Sequence, residues 1–259
     1  MNTYGGLNIG IDFERMDFIY GDQTFGPPIE KRYLDDIRKT LKDPKSAGPD
    51  VVYSIAMDIG YLEDQEELVK RNLLYGACIY AKGKIGEEPV RSQGHIHAVS
   101  ASCGSSTPEM YEIWSGEACI FMQESGKRDA KSAYAVHCRA GDKVIVPPGY
   151  AHYTVNACPD DYMSFGAWCV RDFGFDYKDV RANKGLMYFP VITGNKQIQF
   201  IHNRNYDNGK LLIKEPEVYH YFGLDSNKTI YELYRQDHDL FQFVTQPTKY
   251  EHIWSKFVP

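Results

Sequence analysis

G-H-I-H at residues 94–97 and G-D-K-V-I-V-P-P-G-Y-A-H-Y-T-V-N at residues 141–156 decide how this chain is read, with Glu109 and Gly116 between them. In an extended strand, residues i and i+2 point to one face. His95 and His97 therefore project together, as do Glu109, Tyr111 and Ile113, and again His152, Thr154 and Asn156. Three separate strands then aim three imidazoles and one carboxylate at a single interior point, which is the donor set of a mononuclear metal site inside a small β-barrel. Gly94 and Gly116 suit tight turns at strand ends, and Pro147-Pro148-Gly149 suits a rigid corner that presents His152. Neutral imidazole and carboxylate donors accept Fe(II), Mn(II), Zn(II), Ni(II) or Co(II), and four protein ligands leave one or two positions open for substrate. No cysteine stands at a ligand position, which argues against a closed structural zinc site. A lone histidine here would read as a satisfied core residue; the combination reads as metal binding.

Outward from these blocks, residues 51–192 are rich in short β-branched or aromatic runs: VVYSIAM, LLYGACIY, MYEIWSG, EACIFMQ, YAVHC, KVIVPP, HYTVN and MSFGAWCV. Such runs, separated by turn residues, predict an all-β sandwich or barrel. Gly116 is expected to turn a hairpin between two of them. No long helical pattern interrupts the zone, which disfavours a parallel α/β sheet. Residues 1–50 form an extension expected to pack on the barrel. Within it, Ile29, Tyr33, Ile37 and Leu41 recur every four residues and predict a helix over 29–41, bounded by Gly26-Pro27-Pro28 and Pro44. Residues 193–259 read as an accessory segment, partly helical. Asn208-Gly209 is a hairpin candidate there, and Ile230, Leu233, Tyr234, Phe241 and Val244 mark a helix over about 227–244.

A chain of 259 residues with a net charge of −6 is a poor general binder of nucleic acid. An anionic substrate must then be drawn by local groups rather than by the overall field. No run of 18 apolar residues predicts a membrane span. The first residues lack the basic start and apolar stretch of a secretory signal, so the expected location is the cytoplasm. The six cysteines have no CxxC spacing and read as reduced thiols, several in buried strands.

With these residues in view, the chain resembles the metal-dependent cupins. Residues 94–116 follow the outline of that family's first motif, and residues 141–156 meet the second, G-x5-P-x-G-x2-H-x3-N, in full. The resemblance implies an all-β core, the double-stranded β-helix or jelly-roll barrel, with flanking helices in the N- and C-terminal segments. Eleven residues, 98–108, separate His97 from Glu109, more than cupins usually have. The insert is small and polar, as a surface loop would be. Glu112, the fallback ligand, lies on the opposite strand face and would spoil the glycine spacing.

Within the cupins, residues 50–190 are similar to cupin-type glucose-6-phosphate isomerases. The similarity is carried by Gly86-Glu87-Glu88, Val90 to His97, Glu109-Met110-Tyr111, Val146 to Asn156, and Asp176-Tyr177. It implies interconversion of glucose 6-phosphate and fructose 6-phosphate, a step shared by glycolysis and gluconeogenesis, by a cytoplasmic homodimer. One divalent ion (Fe, Mn, Zn or Ni) would sit at His95, His97, Glu109 and His152. Glu109 would be the base that moves a proton between C1 and C2, a hydride shift being the alternative, with Tyr111 beside it. The resemblance also implies substrate contacts from Tyr177, from the Ser92 hydroxyl and from the backbone at Gly94. Cys78 stands where the family has a threonine, and a thiol is a weak donor. Arg91 and Lys84 read as solvated surface charges. Two other classes share the same metal site: an Fe(II) cupin dioxygenase, and a non-catalytic sugar-binding cupin.

Overall fold

Strict alternation divides the barrel strands into an inner and an outer face. The computed structural model describes residues 3–194, 197–224 and 227–259. Its principal strands are β1 (Glu30–Tyr33), β2 (Val51–Met57), β3 (Leu73–Tyr80), β4 (Glu109–Ser115), β5 (Glu117–Gln123), β6 (Ser132–Arg139), β7 (Lys143–Val146), β8 (Ala151–Asn156), β9 (Met163–Val170) and β10 (Lys210–Lys214). They form a six-stranded sheet in the order β7-β4-β9-β3-β2-β1 and a four-stranded sheet in the order β8-β5-β6-β10. All these pairings are antiparallel except β6 with β10. The architecture is the all-β jelly roll expected, its two sheets enclosing a shared interior.

Both sheets are covered on their outer faces too, which is why their strands read as continuous apolar runs rather than as alternating ones. All eight residues of β9 are buried. Behind the six-stranded sheet, Trp168 is fully buried, stacks on Tyr231 at 5.4 Å and donates its indole N–H to the Ile230 carbonyl at 3.1 Å. The helix Ile230–Gln236 that supplies these contacts starts at Thr229, whose hydroxyl accepts from the Glu232 N–H while Glu232 reaches back. That reciprocal cap fixes the helix start. Behind the four-stranded sheet, Phe121 stacks on Tyr153 at 4.7 Å, and the hairpin Tyr188–Ile192 with Ile198–His202 closes over them.

Several local expectations are corrected. The predicted helix over 29–41 is a strand, β1, followed by one short helical turn, Leu34–Ile37, and a 3-10 turn, Arg38–Thr40. Gly116 turns no hairpin: β4 and β5 lie in different sheets, so it is the corner where the chain crosses between them. Asn208-Gly209 likewise joins no hairpin, because β10 leaves it to pair parallel with β6. The expected helix over 227–244 breaks into Ile230–Gln236 and Gln242–Thr245. Arg91 is 1% exposed rather than solvated. It pairs with buried Glu88 at 2.8 Å and donates to the carbonyls of Ser92 and Thr40. Lys84 is exposed, as read.

Glu112 is on the outer face, 4% exposed, accepting the Ile230 N–H at 2.5 Å. Burial pushes its carboxyl up to about 7 from an ordinary 4.5, against the pull of that hydrogen bond and of Lys143. The folded state therefore holds the proton more tightly than the unfolded chain. The stability this lends is complete below the unfolded value and is lost as pH rises from about 4.5 through about 7. Urea unfolding of the wild type and Glu112→Gln at pH 5 and pH 8 should show the difference moving in favour of glutamine by on the order of 1–3 kcal/mol. A pH-independent difference would refute the assignment.

Candidate metal centre

The segment carrying His95 and His97 runs antiparallel to β8. Arg91 opposes Val155 and His95 opposes His152, so four steps on one strand face three on the other. The extra residue makes a bulge, and Gly94 absorbs it at φ +88°, a left-handed conformation that favours glycine. This is a bulge rather than the strand-end turn predicted at Gly94. It leaves the Gly94 N–H without a hydrogen bond among the described residues. Beyond it, Ile96–His97 pairs with Phe175–Asp176, and the rings of His95 and His97 stack at 5.3 Å.

One ligand atom from each of His95, His97, Glu109 and His152 can be chosen so that all four lie within 4.8 Å of one another. The proton positions follow from the outer hydrogen bonds. His97 Nδ1 lies 2.9 Å from the Thr107 carbonyl, which can only accept, so Nδ1 carries the hydrogen and Nε2 keeps a lone pair. His152 Nδ1 stands likewise 3.2 Å from the Tyr150 carbonyl. Both Nε2 atoms face Glu109 Oε2 at 3.2 Å. Three acceptors meeting in a buried space suit a cation among them. In addition, the Nε2 atoms of His95 and His97 are buried without a hydrogen-bond partner. The donor set therefore fits a divalent metal ion, with Thr107 and Tyr150 orienting two of its imidazoles from behind.

Electrostatics agree with that fit. Burial, with the neighbouring His152 and His97, holds the His95 imidazole well below its ordinary range and hence neutral, Glu109 opposing. Burial works against ionisation of Glu109, yet the facing His152 and His97 imidazoles hold its carboxyl well below the usual range. Tyr111 donates its hydroxyl to Glu109 Oε2 at 2.8 Å, and burial beside that carboxylate keeps the phenol protonated. The thiols of Cys78 and Cys169, on the same wall, are pushed up by burial and by Glu109 and stay uncharged.

The remaining predicted residues, Ser92, Gly94 and Tyr177, line the same cavity. The Ser92 oxygen accepts the Thr154 N–H at 3.1 Å, and its hydroxyl also hydrogen-bonds Tyr80 on the same wall. Tyr177 lies under the Arg181 guanidinium at 4.6 Å, its ring 6.0 Å from that of His95. Phe175, absent from the sequence reading, sets its ring 4.4 Å from His95. The insert 98–108 is also more than a surface loop. Ser106 donates to the His97 carbonyl at 2.8 Å and accepts the Gly149 N–H at 3.0 Å. Asp172 clasps the loop, accepting from Ser100, from the backbone and hydroxyl of Ser102, and from Asn72. Nothing local in 98–108 identifies these partners. A second missed residue, Arg32, reaches the cavity from β1.

The family model described as glucose-6-phosphate isomerase (GPI) matches residues 34–208. The glucose-6-phosphate isomerase of Pyrococcus horikoshii is 28% identical over 176 residues, covering 68% of this chain and 82% of that one. That of Pyrococcus furiosus is 30% identical over 153 residues, covering 59% and 71%. Among solved structures, vicilin from Corylus avellana is similar at 10% identity with a TM-score of 0.36, over 50% of this chain and 33% of that one.

Proposed function

The chain belongs to the glucose-6-phosphate isomerase family, and from that premise we propose that it interconverts glucose 6-phosphate and fructose 6-phosphate at the centre formed by His95, His97, Glu109 and His152. The observation that carries this reading is the meeting of two imidazole lone pairs and one carboxylate oxygen in a buried space beside Tyr111. A divalent ion held by these four residues would lend Lewis acidity to the C1 and C2 oxygens of the open-chain sugar.

The chain's own residues do the rest. Glu109, held ionised, takes the proton from one carbon and returns it to the other, which requires a base within hydrogen-bond reach. Tyr111 fixes the orientation of that carboxylate through its 2.8 Å hydrogen bond. The Gly94 N–H, unpaired among the described residues, is a donor for the substrate's oxygens, with the Ser92 hydroxyl beside it, and Phe175 and Tyr177 line one side of the cavity.

The test is a coupled assay with fructose 6-phosphate after chelation and readdition of Fe, Mn, Zn or Ni singly. Activity should vanish with the metal and return with at least one of them; full turnover by protein shown to be metal-free overturns the reading. Equal turnover without oxygen rejects an Fe(II) dioxygenase, and sugar-phosphate binding without turnover in every metal form favours a non-catalytic binder. Deuterium from D2O appearing at C1 or C2 of the product supports proton transfer over a hydride shift. Among the described residues, no helix is long and apolar enough to cross a membrane. Family membership supports a cytoplasmic homodimer, and a monomer mass by analytical ultracentrifugation at assay concentration would remove the second half of that proposal.

A further inference from the structure

Resting on the isomerase reading, we propose that Arg32 is the phosphate-binding residue of the substrate cavity, supplying the positive charge that the rest of its lining lacks. The sugar phosphate is a dianion entering a cavity that already contains the Glu109 carboxylate, in a chain of net charge −6. Its phosphate needs a local cation. The histidines of the cavity are committed to the metal centre with Glu109.

Among the described residues lining the cavity, Arg32 is the one lysine or arginine, and it shares that wall with Cys78, Ser92, Gly94 and Tyr177. Its placement follows from strand pairing. Arg32 opposes Tyr53, and Tyr53 opposes Tyr80, so the three share one face of the sheet. The rings of Tyr53 and Tyr80 stack at 5.0 Å and form a platform beside the guanidinium. The Arg32 side chain is 23% exposed, and its partner Glu30, at 57%, sits toward solvent. An ion pair so exposed contributes little; it engages Nη1 of the guanidinium fork, and a further donor meets the Tyr53 hydroxyl. The remaining N–H donors suit the bidentate recognition of a phosphate.

A second guanidinium organises the same pole without lining the cavity. Arg181 stacks on Tyr177 at 4.6 Å and donates to Gln93 Oε1 at 3.1 Å, fixing two residues of the wall. Arg32, Tyr177 and the Gly94 N–H, unpaired among the described residues, thus form a donor-lined end beside Ser92, and the four metal-site residues form the other. The substrate would lie between them with its phosphate on Arg32 and its C1 and C2 toward Glu109.

The experiment compares metal-loaded wild type, Arg32→Gln and Arg32→Lys in steady-state kinetics, with inorganic phosphate as competitive inhibitor and metal content checked. Arg32→Gln should raise KM for fructose 6-phosphate about 10- to 100-fold and weaken phosphate inhibition to a similar degree, with kcat and bound metal nearly unchanged. Arg32→Lys, which keeps the charge but loses the fork, should fall between. Unchanged KM and phosphate inhibition in either folded variant overturn the proposal, as does a fall in kcat alone. Should the wild type fail to isomerise fructose 6-phosphate, the isomerase reading fails by itself. Calorimetric binding of inorganic phosphate to wild type and Arg32→Lys then decides separately whether Arg32 holds an anion, equal affinity overturning it.

Discussion

Glu109→Gln yields a folded protein that neither retains a divalent ion through dialysis nor isomerises fructose 6-phosphate, with kcat/KM lower by at least ~1000-fold, equivalent to about 4 kcal/mol of transition-state stabilisation. The substitution is nearly isosteric, so what it removes is the negative charge. Glu109 Oε2 is the atom on which His97, His152 and Tyr111 all converge. A neutral amide there weakens the donor set and removes the proposed base in one step. Folding should not suffer, because a buried carboxylate is expensive to ionise and its loss relieves the metal-free state. Melting in chelator should therefore match or exceed the wild type, while added metal raises the melting temperature of the wild type alone. His152→Ala should show the same loss of metal and turnover. Stoichiometric metal and full activity in Glu109→Gln would dismiss the assignment of both roles.

Gly116→Val tests the corner between the sheets and should destabilise the fold by about 2–4 kcal/mol. Gly116 sits at φ +75°, and a Cβ there would lie 2.5 Å from the Tyr162 carbonyl oxygen and 3.0 Å from Met163 Cα. Both obstacles are backbone at the entrance to β9, so no side-chain rotation relieves them. The strain falls where β4, bearing Glu109, gives way to β5 of the other sheet. Urea denaturation should report a lower midpoint with an unchanged slope. An unchanged midpoint would mean that the corner yields more easily than its contacts imply.

The barrel was legible because its evidence is local. Short β-branched and aromatic runs between turn residues locate β2 to β9, and the two-residue period of a strand separates Glu109 from Glu112, which the structure places on opposite faces of one strand. What escaped was either ambiguous or long-range. Apolar residues four apart, as at Ile29 and Tyr33, satisfy a helical stripe and also one face of a strand, since four is twice the strand period. Reading a helix there concealed Arg32, which only a strand places opposite Tyr53. Glycine at 116 serves a hairpin and a crossover corner equally well, because the turn does not say which sheet the next strand joins. Arg91 looked solvated because its partners include the carbonyl of Thr40, 51 residues away. The loop 98–108 depends on Asp172, 72 residues from Ser100.

That loop begins just after one metal-site histidine and ends just before the glutamate. Its ends are held by the strands and would be joined again by an ion, so the chain between them is a closed ring whose length matters little. Closing a flexible ring twice as long costs only about 0.6 kcal/mol more. Sequence distance between the second histidine and the carboxylate is therefore free to drift while their spatial distance stays fixed. The same ring makes metal occupancy legible from outside: an ion that ties its two ends should slow proteolysis and amide exchange at 98–108.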